Sequence, residues 1–317
     1  MVKHFIDIDN INSKELREII DLAKKIKKEH KEKGRSYKKH KSLLENKSLA
    51  MIFEKTSTRT RVSFDVAMNH LGGHSIIMNK ADMQLVKGES TSDTAKVLSR
   101  YVDGIMIRAI SHQTILDLAQ SSEVPVINAL SDFSHPCQIL ASIMTIEEHI
   151  GSIQNKKIAW FGDANNVLNS YIQGAKKFNY KLVMAIPINS NLKEFDLCDS
   201  EIKKAQMAGS DVTVVSDPKE AAKDADVLVT DTWFSMGDSS EYNDALKHKK
   251  LNVLTPYRVT SELMNLANEN AIFTHCLPAY RGVEVEADVI DSDKSVVFDE
   301  AENRLHIQKA ILLWSMS

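Results

Sequence analysis

The 317 residues carry 40 lysines and arginines against 43 aspartates and glutamates, a net charge of −3, and 43% of them are hydrophobic. Charges so evenly balanced create no bulk field for nucleic acid or an anionic membrane, and the composition is that of a folded globular chain. The length suits two domains of roughly 150 residues each.

The opening, MVKHFIDIDN, lacks the apolar core of a secretion signal, and no stretch approaches the roughly 18 apolar residues of a membrane span. Cys137, Cys198 and Cys276 lie far apart with no CxxC pair, which supports neither a zinc knuckle nor a disulfide framework. Scattered, odd-numbered cysteines suit a reducing compartment. The expectation is a cytoplasmic enzyme.

In chain order, Asn12 can cap a helix with Glu15 three residues on, and Leu16, Ile19, Ile20, Ala23 and Ile26 keep helical spacing. The basic run Lys24 to Lys41 reads as a solvated face rather than a nucleic-acid arm, because acids interleave it and no aromatic platform accompanies it. Short strands are expected at Ser48–Phe53, His74–Met78, Gly104–Ile107 and Val124–Asn128, with helices at Thr60–Leu71, Ser92–Leu98, Thr114–Ser121 and Cys137–His149. A second series follows, with strands at Lys157–Phe161, Lys181–Ile186, Val212–Val215, Val227–Thr230, Val253–Leu254 and Ile272–Thr274. Helices at Asn169–Phe178 and Pro218–Asp224 lie among them, and residues 302–317 form a last helix. Alternation of this kind predicts α/β architecture: two doubly wound parallel sheets joined by the helix ending at His149. The domains are then 1–149 and 150–301, with helix 302–317 packing back on the first.

Several strand ends carry chemistry. In FEKTSTRTRVSF, strand, polar turn and helix succeed one another, and the first turn of a helix leaves N–H groups unsatisfied at its positive end. Ser57, Thr58 and Thr60 add hydroxyls, and Arg59 adds a fork that matches a phosphate edge. Capping would use one hydroxyl only. A Walker loop is excluded, since GxxxxGK[ST] is absent.

His135 precedes Pro136, a residue favoured at the first helical position, so a histidine at a positive helix end can polarise a carbonyl, and Gln138 offers an acceptor for an amide. In WFGDANNVLNS only Gly162 stands where a dinucleotide fingerprint needs three glycines; Asn165 or Asn166 can instead bind a carboxylate. Asp231 ends a buried strand and can pair with an ammonium, while Ser235 and the Met236 backbone can receive a carboxylate. Cys276 follows another strand, where a free thiol is either a small buried hydrophobe or a group facing the site.

FEKTSTRTRVSF, HPCQ (135–138), DTWFSMG (231–237) and HCLP (275–278), in this order and spacing, resemble the aspartate/ornithine transcarbamoylase family across the whole chain, and the last two resemble its ornithine branch. The resemblance implies attack by the δ-amine of L-ornithine on carbamoyl phosphate in a cleft between the domains, giving L-citrulline and phosphate, with no metal or organic cofactor. Carried over residue by residue, Ser57, Thr58, Arg59 and Thr60 cradle the phosphate, and Arg108 contacts phosphate and carbonyl oxygen. Arg304 closes over the phosphate, while His135, Pro136, Cys137 and Gln138 grip the carbamoyl group. Asn165 or Asn166, Asp231, Ser235 and Met236 bind ornithine, and Cys276 and the Leu277 carbonyl lie beside the reacting atoms. Gln84 of QLVKGES comes from a neighbouring subunit in the family, which implies a homotrimer or a multiple of it. Arg108, His135, Asp231 and Cys276 are the expected catalytic groups, and Asp231, Cys276 or the leaving phosphate takes the amine proton. The SMG residues argue against putrescine, acetylornithine or aspartate as acceptor.

Overall fold

The computed structural model describes residues 2–34, 38–83, 88–187, 194–234 and 244–317. The chain divides into two compact units, Met1–Ala141 with Glu302–Ser317, and Ser142–Ala301.

The first unit runs through α1 (Ser13–Lys33), α2 (Lys38–Lys41), β1 (Ser48–Phe53), α3 (Thr58–Leu71), β2 (His74–Asn79) and α4 (Thr91–Leu98). It continues with β3 (Gly104–Arg108), α5 (His112–Ser121), β4 (Val126–Leu130) and the start of α6 (Pro136–Ile150). The Asn12 side chain accepts the Glu15 N–H at 2.9 Å, and the predicted apolar face of α1 is buried. Every residue of β1 is buried, as a strand covered on both faces must be. The sheet is parallel throughout, in the order β2-β1-β3-β4. The N-terminal segment adds a bridge at its far edge, where the Phe5 N–H donates to the Val126 carbonyl and the Asn128 N–H to the Phe5 carbonyl, each at 2.8 Å. β4 begins at Val126 rather than Val124, because Pro125 has no N–H for the ladder and offers only its carbonyl, to the Ile105 N–H.

The second unit contains β5 (Lys157–Phe161), α7 (Asn166–Phe178), β6 (Lys181–Ala185), α8 (Glu194–Met207), β7 (Val212–Val215) and α9 (Pro218–Ala222). After these come β8 (Val227–Thr230), α10 (Asp244–Leu254), α11 (Ser261–Leu266), β9 (Ile272–His275), α12 (Ala287–Ile290) and α13 (Val297–Met316). Its strands are also all parallel, in the order β7-β6-β5-β8-β9. The expected strand Val253–Leu254 is instead the end of α10. Two apolar residues cannot distinguish the periods, and Leu254 falls four residues after the buried Lys250, on one helical face.

Both units are thus doubly wound parallel sheets. The division between them falls within α6 and again within α13, whose part from Glu302 onward, with the final Ser317, returns the chain to the first unit. Each strand order contains a reversal, between β1 and β3 in one sheet and between β5 and β8 in the other. At such a switch point the connections on either side leave in opposite directions and open a crevice at the carboxyl ends of the strands.

Candidate active site

In the first unit the STRT turn leaves β1 at the switch point. Ser57 has extended backbone (φ −159°) and accepts the Thr60 N–H at 3.3 Å, so one hydroxyl caps α3 as capping requires. Thr58 and Arg59 are exposed in the first turn, and Thr60 is buried. The Thr60 hydroxyl accepts from Arg304 Nη2 at 3.3 Å, while Arg304 Nη1 donates to Gln138 Oε1 at 2.6 Å. One guanidinium on α13 therefore ties together the first turns of α3 and α6. Two positive helix ends and a buried arginine make a place for an anion.

Arg108 ends β3, the strand lying between β1 and β4. Glu54 ties the neighbouring strand ends, its N–H donating to the Arg108 carbonyl at 3.0 Å and its carboxylate accepting the Ile110 N–H at 2.8 Å.

The turn before α6 is built by short side chains. Ser131 Oγ accepts the Ser134 N–H at 3.1 Å, and Asn128 Nδ2 donates to Ser134 Oγ at 3.1 Å. The Ser134 hydroxyl in turn donates to Asp7, which also lies 3.0 Å from His112 Nε2. This scaffold delivers His135 to the start of α6, 4% exposed. Burial above all, then the charges of Arg304 and Arg108, hold its imidazole pKa well below the usual value. The ring is neutral, with one N–H to donate and one lone pair. Cys137 turns away into the fold: its thiol donates to the Asn128 carbonyl at 3.4 Å, and burial pushes its pKa up to about 12. The expected contact from this residue is thus confined to its backbone N–H.

In the second unit the β5–α7 and β8 loops flank the other switch point. Gly162, at φ +99°, turns the chain where an added Cβ would lie 2.5 Å from the indole nitrogen of buried Trp233. Asn165 caps α7, its Oδ1 accepting the N–H groups of Val167 and Leu168 at 3.0 and 3.2 Å. Its amide nitrogen donates to Asp231 Oδ2 at 2.8 Å. Asp231 Oδ1 accepts the Thr232 N–H at 2.8 Å and the Cys276 thiol at 2.8 Å. The carboxylate is 5% exposed and receives donors from three directions. Asn166 is half-buried at the first position of α7.

Cys276 and Leu277 leave β9 in a tight turn, and Leu277 adopts φ +56°. The Leu277 N–H donates to His275 Nδ1 at 2.9 Å. Asp231, His275 and Cys276 each place one atom of metal-ligand type within 4.8 Å of the others, the one such grouping among the described residues. The thiol is engaged by Asp231 and the Nδ1 lone pair by Leu277, so these groups serve one another and the backbone rather than presenting a ready cation site.

The residues singled out by the sequence thus gather in two places: Ser57, Thr60, Gln138 and Arg304, with His135 near the charges of Arg304 and Arg108, and separately Asn165, Asp231 and Cys276. Gln84, Ser235 and Met236 lie outside the described residues. Sequence reasoning passed over the Asp163–Lys250 pair, 3.0 Å apart and buried, which braces the turn after β5. It also passed over His275 and Glu284, both fully buried. Lys250 ends the basic run KHKK, and Glu284 and Glu286 alternate with Val283 and Val285, settings that many solvated residues share.

Comparison with known proteins covers nearly the whole chain. Residues 3–148 match the family model described as aspartate/ornithine carbamoyltransferase, carbamoyl-P binding domain, and residues 154–315 match its Asp/Orn binding domain. The chain is 50% identical to the ornithine carbamoyltransferase of Rhodopseudomonas palustris (strain BisA53), covering 98% of this chain and 96% of that one. It is also 50% identical to that of Brucella abortus (strain 2308), covering 99% and 96%. Among solved structures it resembles ornithine carbamoyltransferase from Pyrococcus furiosus, with a TM-score of 0.87, 44% identity and coverage of 99% and 97%. An N-acetyl-L-ornithine transcarbamylase is more distant, at 28% identity and a TM-score of 0.81 over 99% and 100%.

Proposed function

The chain belongs to the aspartate/ornithine carbamoyltransferase family, and we propose from that premise that it moves the carbamoyl group of carbamoyl phosphate to the δ-amine of L-ornithine by direct attack, releasing L-citrulline and phosphate. The observation that carries this reading is Arg304 bridging the first turns of α3 and α6, an anion seat beside a neutral histidine. In this reading residues 1–149 with 302–317 serve carbamoyl phosphate, and residues 150–301 serve ornithine.

The departing phosphate is held by Ser57, Thr58, Arg59, Thr60 and Arg304, with the N–H groups of the first turns of α3 and α6. The His135 N–H and Arg108 polarise the carbamoyl oxygen and stabilise the oxyanion that forms on attack. Fixed donors of this kind are often worth about 3–4 kcal/mol each in the transition state. Pro136 and the Cys137 N–H complete the helix end, and Gln138 accepts from the carbamoyl amide.

Asn165 is committed to its cap and to Asp231, which favours Asn166 as the amide that meets the ornithine carboxylate, with Ser235 and Met236. Asp231 orients the amino-acid substrate. The nucleophile must be the neutral amine, although an alkylammonium has a pKa of about 10.4 in water, so exclusion of water is part of the mechanism. Because the Cys276 thiol donates to Asp231, the carboxylate or the departing phosphate is better suited than the thiol to take the amine proton. The Leu277 carbonyl lies beside the reacting carbamoyl group. None of these steps calls for a metal or organic cofactor.

Gln84 supplied by a neighbouring copy would complete the phosphate site, making the working form a homotrimer or a multiple of one. Among the described residues no helix is long and apolar enough to cross a membrane, in keeping with work in the cytoplasm.

Purified protein is to be given carbamoyl phosphate with ornithine, putrescine, acetylornithine or aspartate. Citrulline from ornithine alone, lost in Arg59→Ala, is the expected result. Product from another amine would overturn the acceptor assignment, and no product from any would overturn the reaction.

A further inference from the structure

The segment ahead of α1 carries one buried carboxylate that the transfer as derived so far does not use. Phe5 bridges to Ile127 in parallel, as an added strand at the edge of the first sheet, and Asn128 Nδ2 donates to the Ile6 carbonyl at 2.9 Å. These bonds hold the backbone of the segment and do not involve the side chain at position 7. Asp7 is 6% exposed there, and its partners are the Ser134 hydroxyl and His112 Nε2. Taking a carboxylate out of water costs several kcal/mol, which one imidazole contact offsets only in part, so stability alone would be served as well by an apolar residue.

What Asp7 controls is the turn before α6. Ser134 is engaged at every polar atom. Its N–H donates to Ser131 Oγ at 3.1 Å and its carbonyl accepts the Ser131 N–H at 2.9 Å. Its hydroxyl accepts from Asn128 Nδ2 at 3.1 Å and donates to Asp7 Oδ1. A hydroxyl has one proton to give, so the carboxylate decides where this one points. The other carboxylate oxygen lies 3.0 Å from His112 Nε2, and His112 Nδ1 lies 2.9 Å from the same Ser131 Oγ. His112 is fixed in its turn at the start of α5, its N–H donating to Asp132 Oδ1 at 2.7 Å and its ring centred 5.0 Å from that of Phe133. Asp7 thus reaches both ends of the 131–134 turn, one directly and one through an imidazole. His135 comes next, its side chain buried and its carbonyl already accepting the Gln138 and Ile139 N–H groups. The direction of its ring is set by the backbone that enters the helix, and that backbone hangs on Ser134.

We propose that Asp7 is a positioning residue for the transfer: it locks the 131–134 turn, through Ser134 and through His112, in the form that aims the His135 imidazole at the carbamoyl oxygen. The inference rests on the reading of His135 as a donor to that oxygen. The phosphate seat of Ser57, Thr60 and Arg304 is built without Asp7. Loss of the carboxylate therefore separates turnover from phosphate binding. Misplacement of a reacting group by about 1 Å can cost on the order of 100-fold in rate.

The test uses the full-length protein. Asp7→Ala should lower kcat for citrulline formation about 10- to 100-fold, while the Kd for inorganic phosphate, read by titration calorimetry, changes little. Asp7→Asn, which keeps an acceptor for the Ser134 hydroxyl, should recover part of the loss. Ser134→Ala cuts the same link from the other side, so kcat should fall there too, and adding Asp7→Ala to it should cost much less than Asp7→Ala alone. Selective ¹⁵N-histidine labelling, with His135→Gln to assign the signal, should show the His135 ring resonances displaced in Asp7→Ala. Parental kcat in Asp7→Ala, with only a lower melting temperature, would overturn the proposal. So would losses in the two single variants that simply add. Where Asp7→Ala fails to fold, parental kcat in Ser134→Ala overturns it alone. No citrulline from the unmodified protein, or full turnover in His135→Gln, would instead overturn the reading beneath the proposal, and is told apart because the His135 ring signal would still respond to Asp7→Ala.

Discussion

Replacing Arg304 by glutamine removes a charge from the place where two helix N-termini meet, yet keeps a side chain that can still donate one hydrogen bond. Arg304 is 6% exposed, and its guanidinium donates to Gln138 at 2.6 Å and to Thr60 at 3.3 Å. Neither of these acceptors is charged, so the two bonds orient the fork, and its charge is felt at His135. A hydrogen bond from a charged donor is worth about 1.5–3 kcal/mol, and about 1.4 kcal/mol corresponds to tenfold in an equilibrium constant. Arg304→Gln should therefore raise the dissociation constant for carbamoyl phosphate about 10- to 150-fold, with the KM for ornithine much less affected. Titration calorimetry with carbamoyl phosphate measures the first and steady-state kinetics the second. The variant should also let His135 protonate more readily, because one of the two positive charges holding its pKa down is gone, while burial, the larger cause, remains. An affinity within twofold of the unmodified protein, together with a lower melting temperature, would refute the reasoning and leave Arg304 a packing residue.

Asp231→Asn should reduce turnover with ornithine by about 100-fold or more, since the new amide nitrogen would face a donor in either orientation, the Asn165 amide on one side or the Thr232 N–H on the other; steady-state rates within threefold of the parent would contradict this. Gly162→Ala should destabilise the second unit by about 2 kcal/mol or more, because it combines φ +99° with a Cβ 2.5 Å from Trp233 Nε1. Denaturant titration monitored by tryptophan fluorescence checks it, and an unchanged midpoint would count against the close approach. The protein should lose stability as the pH falls below about 6.5, where unfolded histidine gains a proton. His306, whose pKa burial and neighbouring lysines push down to about 2, stays neutral in the fold and contributes about 1.4 kcal/mol of destabilisation per pH unit from 6.5 downward. His135 acts in the same direction. Urea midpoints at several pH values should show this, with a shallower acid slope in His306→Gln; equal slopes would exclude His306 as a contributor.

Much of this protein is determined locally. The apolar run Ser48–Phe53 had to be a covered strand, Asn12 and Ser57 had to cap helices, and a hydroxyl-rich turn with arginines at a helix start offers donors to an anion. Those features depend on neighbours within a few residues, so the sequence carries them openly, and the two parallel-sheet halves follow from their alternation. Short or marginal segments were less legible. Val253 and Leu254 fit a strand or a helix equally well until Lys250 and Leu254 were buried on one face of α10. Strand order decided what no local pattern contains. By setting β1 beside β3, and β5 beside β8, it opened the crevices on which Ser57, Arg108, Asn165 and Asp231 stand. Only tertiary structure could assign Asn165 to the cap and to Asp231, turn the Cys137 thiol into the core, or bring Arg304 from the far end of the chain onto Thr60. Glu284 shows why: its partners are chosen by desolvation and geometry in a space the chain creates only once it has folded.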